Sequence, residues 1–186
     1  MTTVQKTKPT RTCAESYSNY RSFKKHLEND FNNRCGYCDD PDSYYGQEIS
    51  YHIDHFKPKS EFPELEVEYK NLVYSCPYCN RAKSNKWKAK NGFIDPCSQE
   101  YDKNLQRNDK GEIQSITERG KHIVQELRLY LQRHKTIWHL SILEKQKQQL
   151  KILLQSTNDA NKLKILEELQ EIQEKIDAYI AGGLGE

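Results

Sequence analysis

The 186-residue sequence has no long apolar run. A helix that spans a bilayer needs about 20 consecutive apolar residues, and no stretch approaches that length. The first residues, MTTVQKTKPTRTC, also lack the apolar core of a signal peptide. We therefore expect a soluble, cytoplasmic protein that makes no contact with a membrane.

The sequence also lacks an excess of charge of either sign. Its 29 Lys and Arg residues against 27 Asp and Glu give a formal net charge of +2. Binding to nucleic acid would need clustered positive charge, because the chain as a whole is not basic. The length suits one catalytic domain with an accessory segment and excludes two large independent cores.

The cysteines stand in an informative pattern. Six cysteines in a chain without an export signal argue against disulfides, because the cytosol keeps thiols reduced. Cys35-Gly-Tyr-Cys38 and Cys76-Pro-Tyr-Cys79 are two C-x2-C pairs, the arrangement in which two turns present four thiolates to one Zn²⁺. The spacing predicts a structural zinc site. The alternatives are four buried small side chains or a redox pair, and Cys13 and Cys97 have no assigned role.

The pattern along the chain predicts a small mixed module. Residues 1–16 are polar and predict a loosely held arm, and residues 17–31 carry apolar side chains at helical spacing. Segments 49–56 and 71–75 are rich in β-branched and aromatic residues and predict two strands, followed by a polar helix over 80–87. The predicted fold class is α+β, with the order strand, strand, helix in the core.

Beyond residue 96 the sequence predicts mostly helix. A short strand or connector is expected over 112–117, then a long helix over about 118–155 and a last helix over about 160–180, ended by Gly182-Gly183. Two long helices joined by a short break predict an antiparallel hairpin. The hairpin could cover the core, dock a partner or mediate oligomerisation. The predicted domains are an arm (1–16), a catalytic domain (17–96) and an accessory region (97–186).

Asp54 and His55 stand together at the end of the first predicted strand. A carboxylate can hold a hard divalent cation, and an imidazole can take a proton from water near neutral pH. Asn71 and Asn80 add amide oxygens that could orient the imidazole and bind the same cation. Phosphodiester hydrolysis needs these parts. The alternative is a surface turn with two capping Asn residues. His52 is expected to be structural, with a role near phosphate or metal as the alternative.

Positive charge is clustered around this constellation. A charge run is often only a solvated face, but here it follows the predicted cation ligand and could contact a nucleic-acid backbone without reading sequence. The predicted nucleic-acid-binding residues are Lys57, Lys59, Arg81, Lys83, Lys86 and Lys88.

These motifs together resemble the HNH (ββα-metal) endonuclease family. The resemblance is carried by Cys35-x2-Cys38, Ile53-Asp54-His55-Phe56-x-Pro58, Asn71-Leu72 and Cys76-x2-Cys79-Asn80-x2-Lys83-Ser84. The chain is similar in particular to the HNH subunits of bacterial anti-phage systems of the Septu (PtuB-like) and retron-associated kind. The resemblance implies a ββα-metal core held together by a zinc site of four cysteines, with an N-terminal helix and a C-terminal helical hairpin.

The resemblance also implies a role for each residue of the constellation. His55 would be the general base, Asp54 a ligand of a catalytic Mg²⁺ or Mn²⁺, and Asn71 the residue that holds the His55 ring. Asn80 would bind the same cation, at a position where many relatives have His. The implied substrate is DNA and the implied partner an ATPase subunit. A non-catalytic zinc module that binds nucleic acid or scaffolds an assembly, and an RNA- or tRNA-cleaving toxin, remain alternatives.

Overall fold

The computed structural model describes residues 2–182, and the chain divides into two compact units, residues 1–130 and 131–186. The first unit combines short strands with helices, and the second consists of long helices. The predicted α+β class is confirmed. The boundary predicted at residue 97 falls inside the first unit.

Two antiparallel strands and a helix form the centre of the first unit. A 3-10 turn, Tyr20–Phe23, leads into helix α1 (Lys24–Asp30). Strand β1 (His52–His55) then pairs with strand β2 (Leu72–Ser75), and helix α2 (Pro77–Lys83) follows directly. The predicted order of strand, strand and helix is therefore present, with both strands shorter than expected because turns occupy the predicted strand ends.

Helix α2 begins and ends earlier than the sequence predicts. Pro77 occupies its first turn, where the missing N–H costs nothing, and Cys76 precedes it as the N-cap. The helix ends at Lys83, because Ser84 has a φ of 48° that interrupts the helical backbone. Trp87 and the lysines around it therefore lie beyond the helix rather than on it.

A hairpin and two further helices complete the first unit. Helix α3 (Glu100–Asn104) runs into strand β3 (Leu105–Arg107), which pairs antiparallel with strand β4 (Ile113–Ser115). Helix α4 (Glu118–Glu126) follows, capped by the Thr117 hydroxyl. Strand β4 lies within the predicted connector, whereas β3 was not expected, because its three residues carry too little periodicity to be recognised.

The N-terminal arm is packed into the first unit, and the prediction that it is loosely held is wrong. Val4 is 1% exposed, and the Gln5 side chain donates to the carbonyl of Gly36 at 2.6 Å. Thr2 pairs with Arg107 through the backbone. Gln5, Lys8 and Arg11 donate to backbone carbonyls of the domain, which composition alone does not reveal.

The second unit is an antiparallel helical hairpin, as predicted, but its first helix begins at Gln132 and not near residue 118. The predicted long helix is interrupted after Glu126, because Arg128 has a φ of 54° that breaks the helical backbone. Helix α5 (Gln132–Ser156) and helix α6 (Asp159–Ala181) run side by side, with the His139 ring stacked on Tyr179 at 5.4 Å between ring centroids. The predicted helix end at Gly183 lies outside the described residues. Across residues 2–182, no helix combines the length and apolar character needed to cross a membrane.

Candidate active site and zinc centre

Four cysteine side chains meet in the interior of the first unit. The sulfur atoms of Cys35, Cys38, Cys76 and Cys79 all lie within 4.8 Å of one another, and those of Cys38 and Cys76 are 3.8 Å apart. A tetrahedral zinc ion with Zn–S bonds of about 2.3 Å holds its sulfurs about 3.8 Å apart. The predicted cluster is present, and it fits a zinc site.

The pKa values of the four thiols are shifted in different directions. Burial raises the pKa of Cys38, Cys76 and Cys79. Burial acts on Cys35 in the same direction, but hydrogen bonds from the other three thiols outweigh it and bring the pKa of Cys35 well below its ordinary value. A bound cation would stabilise all four sulfurs as thiolates.

An arginine that sequence reasoning missed supports the first cysteine turn. Arg107 is 1% exposed, and its guanidinium donates to the carbonyl of Cys38 at 2.8 Å and to that of Gly111 at 2.6 Å. Arg34 forms a 3.0 Å ion pair with Asp39 in the same turn. Isolated arginines give no signal in the sequence, because what makes these two structural is burial against the turn.

Asp54 is buried, and two neighbouring side chains bind its carboxylate. The Tyr37 hydroxyl donates to it at 2.5 Å, and the Lys83 ammonium lies 3.1 Å from one oxygen and 3.2 Å from the other. Burial raises the pKa of Asp54, and the charge of Lys83 opposes that effect. A carboxylate offers about four acceptor positions, so these contacts leave room for one further ligand.

Two of the predicted site residues on helix α2, Lys83 and Asn80, differ in their exposure. Lys83 is 0% exposed, and its ammonium also donates to the carbonyl of His55 at 2.7 Å. The predicted contact of Lys83 with nucleic acid is therefore wrong, because its ammonium is buried and bound to Asp54 and to the His55 carbonyl. Its position four residues after Cys79 would have placed it on the buried helix face. Asn80 is half-buried, and its role as an oxygen ligand stays a prediction.

The His55 ring is held in one orientation by a backbone carbonyl. Its Nε2 atom lies 2.9 Å from the carbonyl oxygen of Glu66. A carbonyl can only accept, so Nε2 carries the hydrogen and Nδ1 of the neutral ring is the proton acceptor. Tyr20 packs edge-on against the ring at 4.8 Å between centroids. The sequence signalled neither contact, because one is made by backbone and the other comes from the N-terminal helical segment.

Asn71 braces the backbone near His55 and does not bind the ring itself. Its side chain accepts from the Lys57 N–H at 2.8 Å and donates to the carbonyls of Lys57 at 3.0 Å and Leu65 at 3.2 Å. These bonds tie together the two ends of the loop that carries the Glu66 carbonyl. Any influence of Asn71 on His55 therefore passes through that loop.

The other predicted nucleic-acid contacts are only partly free. Lys59 and Lys86 each form a 2.8 Å ion pair with a glutamate, and the Lys57 ammonium lies over the rings of two aromatic side chains. Arg81 and Lys88 are exposed. Glu66 and Glu126 thus partly compensate the positive charge, and its contact with nucleic acid stays a prediction.

Comparison with known families defines the class of this site. Residues 35–86 match the HNH endonuclease family, a segment that runs from the first zinc-site cysteine past the end of helix α2. It contains Asp54, His55, Asn71 and Asn80. The chain thus carries an HNH endonuclease domain, which belongs to the hydrolases that act on phosphodiester bonds.

The chain is also similar to a known protein over part of its length. The chain is similar to Septu protein PtuB of Bacillus thuringiensis, with 37% identity over 68 residues. The aligned segment is 35% of this chain and 24% of that relative, so the chain matches about a quarter of the relative's length. The resemblance to HNH nucleases, including the Septu kind, is confirmed for this segment.

Proposed function

We propose that this chain is a divalent-metal-dependent endonuclease that hydrolyses phosphodiester bonds in DNA. The observation that carries the proposal is the orientation of His55 inside the HNH domain. Its Nε2–H is committed to the Glu66 carbonyl, so Nδ1 is left to accept a proton, and the Asp54 carboxylate is the adjacent residue. A module that only bound nucleic acid would need neither the fixed ring nor a buried carboxylate beside it.

In this proposal the chain's own groups activate the attacking water. Nδ1 of His55 takes the proton, and the Glu66 carbonyl stabilises the imidazolium that results by accepting from Nε2–H. Asp54 and Asn80 offer oxygen ligands, which suit Mg²⁺ or Mn²⁺ rather than zinc. When bound, such a cation supplies positive charge for the phosphate and the leaving oxygen. Zinc at the four cysteines would be structural.

The wider role rests on the similarity to Septu protein PtuB. We propose that the chain is the effector nuclease of a bacterial anti-phage defence system and works with an ATPase subunit. Exposed apolar side chains on the helical hairpin support a docking role for it, since large exposed apolar side chains often mark interaction sites. Ile152 is 68% exposed, Leu163 67% and Ile180 62%.

The test is a cleavage assay on plasmid DNA and on RNA, with EDTA, Mg²⁺ or Mn²⁺. We expect DNA to be cut only with added Mg²⁺ or Mn²⁺, and cutting to be lost in His55→Ala but kept in His122→Ala, a histidine on helix α4. Cleavage of RNA alone would redirect the proposal to an RNA-cleaving toxin. No cleavage by wild type, even with the partner ATPase present, would overturn the proposed endonuclease function.

A further inference from the structure

A groove lies between the N-terminal helical segment and strand β1. Its cavity volume is about 500 Å³, and the side chains along it include Tyr20, Arg21, Lys24, Glu48 and His52. The sequence-based set of nucleic-acid-binding residues contains none of them. The groove is therefore a second surface beside the one that the basic stretch after helix α2 suggested.

The groove adjoins the proposed general base. Tyr20 forms part of its wall, and the same ring packs against the ring of His55 at 4.8 Å between centroids. The Arg21 guanidinium lies 5.9 Å and the Lys59 ammonium 5.0 Å from the Tyr20 ring centroid. A strand whose scissile bond reached His55 would thus pass a wall of one aromatic ring with cations beside it.

The charge of the groove is mainly positive. Arg21 is exposed, and the half-buried Lys24 is anchored by donating to the carbonyl of Tyr51. Against these cations, Glu48 contributes a carboxylate to the lining.

We propose that this groove binds a backbone phosphate of the nucleic-acid strand, next to the bond that is cleaved. The proposal rests on the proposed nuclease function, since the strand must pass His55. Arg21 offers a planar, permanently charged donor set that suits a phosphate, and Tyr20 offers an aromatic face to the neighbouring sugar or base. Such contacts position a strand without reading its sequence.

The experiment measures binding of the full-length protein to a fluorescein-labelled single-stranded oligodeoxynucleotide, without added Mg²⁺ or Mn²⁺ so that the strand stays intact. We expect Arg21→Gln to weaken binding by about three- to tenfold and to reduce the slope of log affinity against log salt by about 0.7, the value for one lost phosphate contact. Glu48→Gln should tighten binding, since it removes a repelling charge. Lys121→Gln, an exposed cation on helix α4, should change neither.

Cleavage by the same variants separates this proposal from the proposed function. Arg21→Gln should raise KM and leave kcat close to that of wild type. If wild type cleaves through His55 but Arg21→Gln and Glu48→Gln bind and cleave as wild type does, the groove proposal is overturned and the nuclease stands. If wild type never cleaves but binding still depends on Arg21 and Glu48, the proposed phosphate site is supported and the proposed nuclease function is rejected.

Discussion

The cysteine cluster and the Asp54–His55 pair belong to one domain but are held in place by different means. The four cysteine sulfurs come from two turns, are almost completely buried, and face one another. Asp54 and His55 are adjacent in the chain and are oriented by groups from elsewhere: Tyr37, Lys83 and the carbonyl of Glu66. The cluster fits a soft cation that joins distant segments, whereas the pair depends on a surrounding network.

This difference predicts how each region responds to the loss of one of its side chains. Loss of a sulfur should disturb the fold of the domain, because a zinc ion would be the link between the two turns. Loss of a group around the pair should cost a limited amount of stability or rate, because the network has several members.

The largest effect is expected at the cysteine cluster. Cys79→Ser should lose zinc and unfold the domain, because structural zinc sites contribute on the order of 10 kcal/mol to folding. Zinc analysis and thermal melting would measure both. Cys13→Ser, a half-buried thiol outside the cluster, is the control and should keep both properties. Full zinc content with unchanged melting in Cys79→Ser would refute the zinc centre.

Lys83→Met should give the next largest loss. It removes the cation paired with the buried Asp54, and an unpaired buried charge costs about 3–5 kcal/mol. Urea denaturation measures the loss. Adding Asp54→Asn to Lys83→Met should restore much of the stability, because no unpaired charge then remains. A loss below about 1 kcal/mol in the single variant would contradict the buried pair.

Tyr37→Phe should be milder. The variant keeps the ring and removes one hydrogen bond to Asp54, and hydrogen bonds to charged groups contribute about 1.5–3 kcal/mol. The free energy of unfolding is expected to decrease by an amount within that range, with zinc content unchanged. Tyr130→Phe alters an exposed hydroxyl and should be neutral. Equal stabilities of the two variants would show that Tyr37 does not support the carboxylate.

The smallest effect is expected for Asn71→Ala. Its side chain braces the loop that carries the Glu66 carbonyl, so its loss should lower kcat by about tenfold through a less well oriented His55. Zinc content should stay intact. Asn161→Ala, on helix α6, is the matched control. A turnover equal to that of the control would leave Asn71 as a turn residue without a part in orienting the base.

Sequence reasoning identified the groups that carry chemistry better than those that hold them. The C-x2-C pairs and the Asp54–His55 pair are recognisable because residue type and spacing define them. The support given by the Glu66 carbonyl is not recognisable, because any residue has a carbonyl and only the path of the loop brings it to His55. Lys83 was interpreted as part of an exposed basic run, although its position four residues after the buried Cys79 puts both on one helix face.

Contacts that the sequence does not reveal also explain the errors in the predicted fold. The two strands and helix α2 follow from local pattern, although Ser84 ends the helix earlier than expected. The docking of the N-terminal arm depends on partners distant in sequence, such as the Gly36 carbonyl bound by Gln5. Long-range hydrogen bonds of this kind leave no periodic trace in the sequence.

We propose that the cysteine cluster maintains the fold and that the Asp54–His55 pair performs metal-dependent hydrolysis. The most direct test removes loosely bound divalent cations by brief dialysis against EDTA, then measures zinc content and DNA cleavage before and after Mg²⁺ is added. We predict about one zinc per chain throughout, no cleavage without Mg²⁺, and cleavage restored by Mg²⁺ alone. Cleavage that persists without Mg²⁺, or that rises and falls with zinc content, would contradict the account.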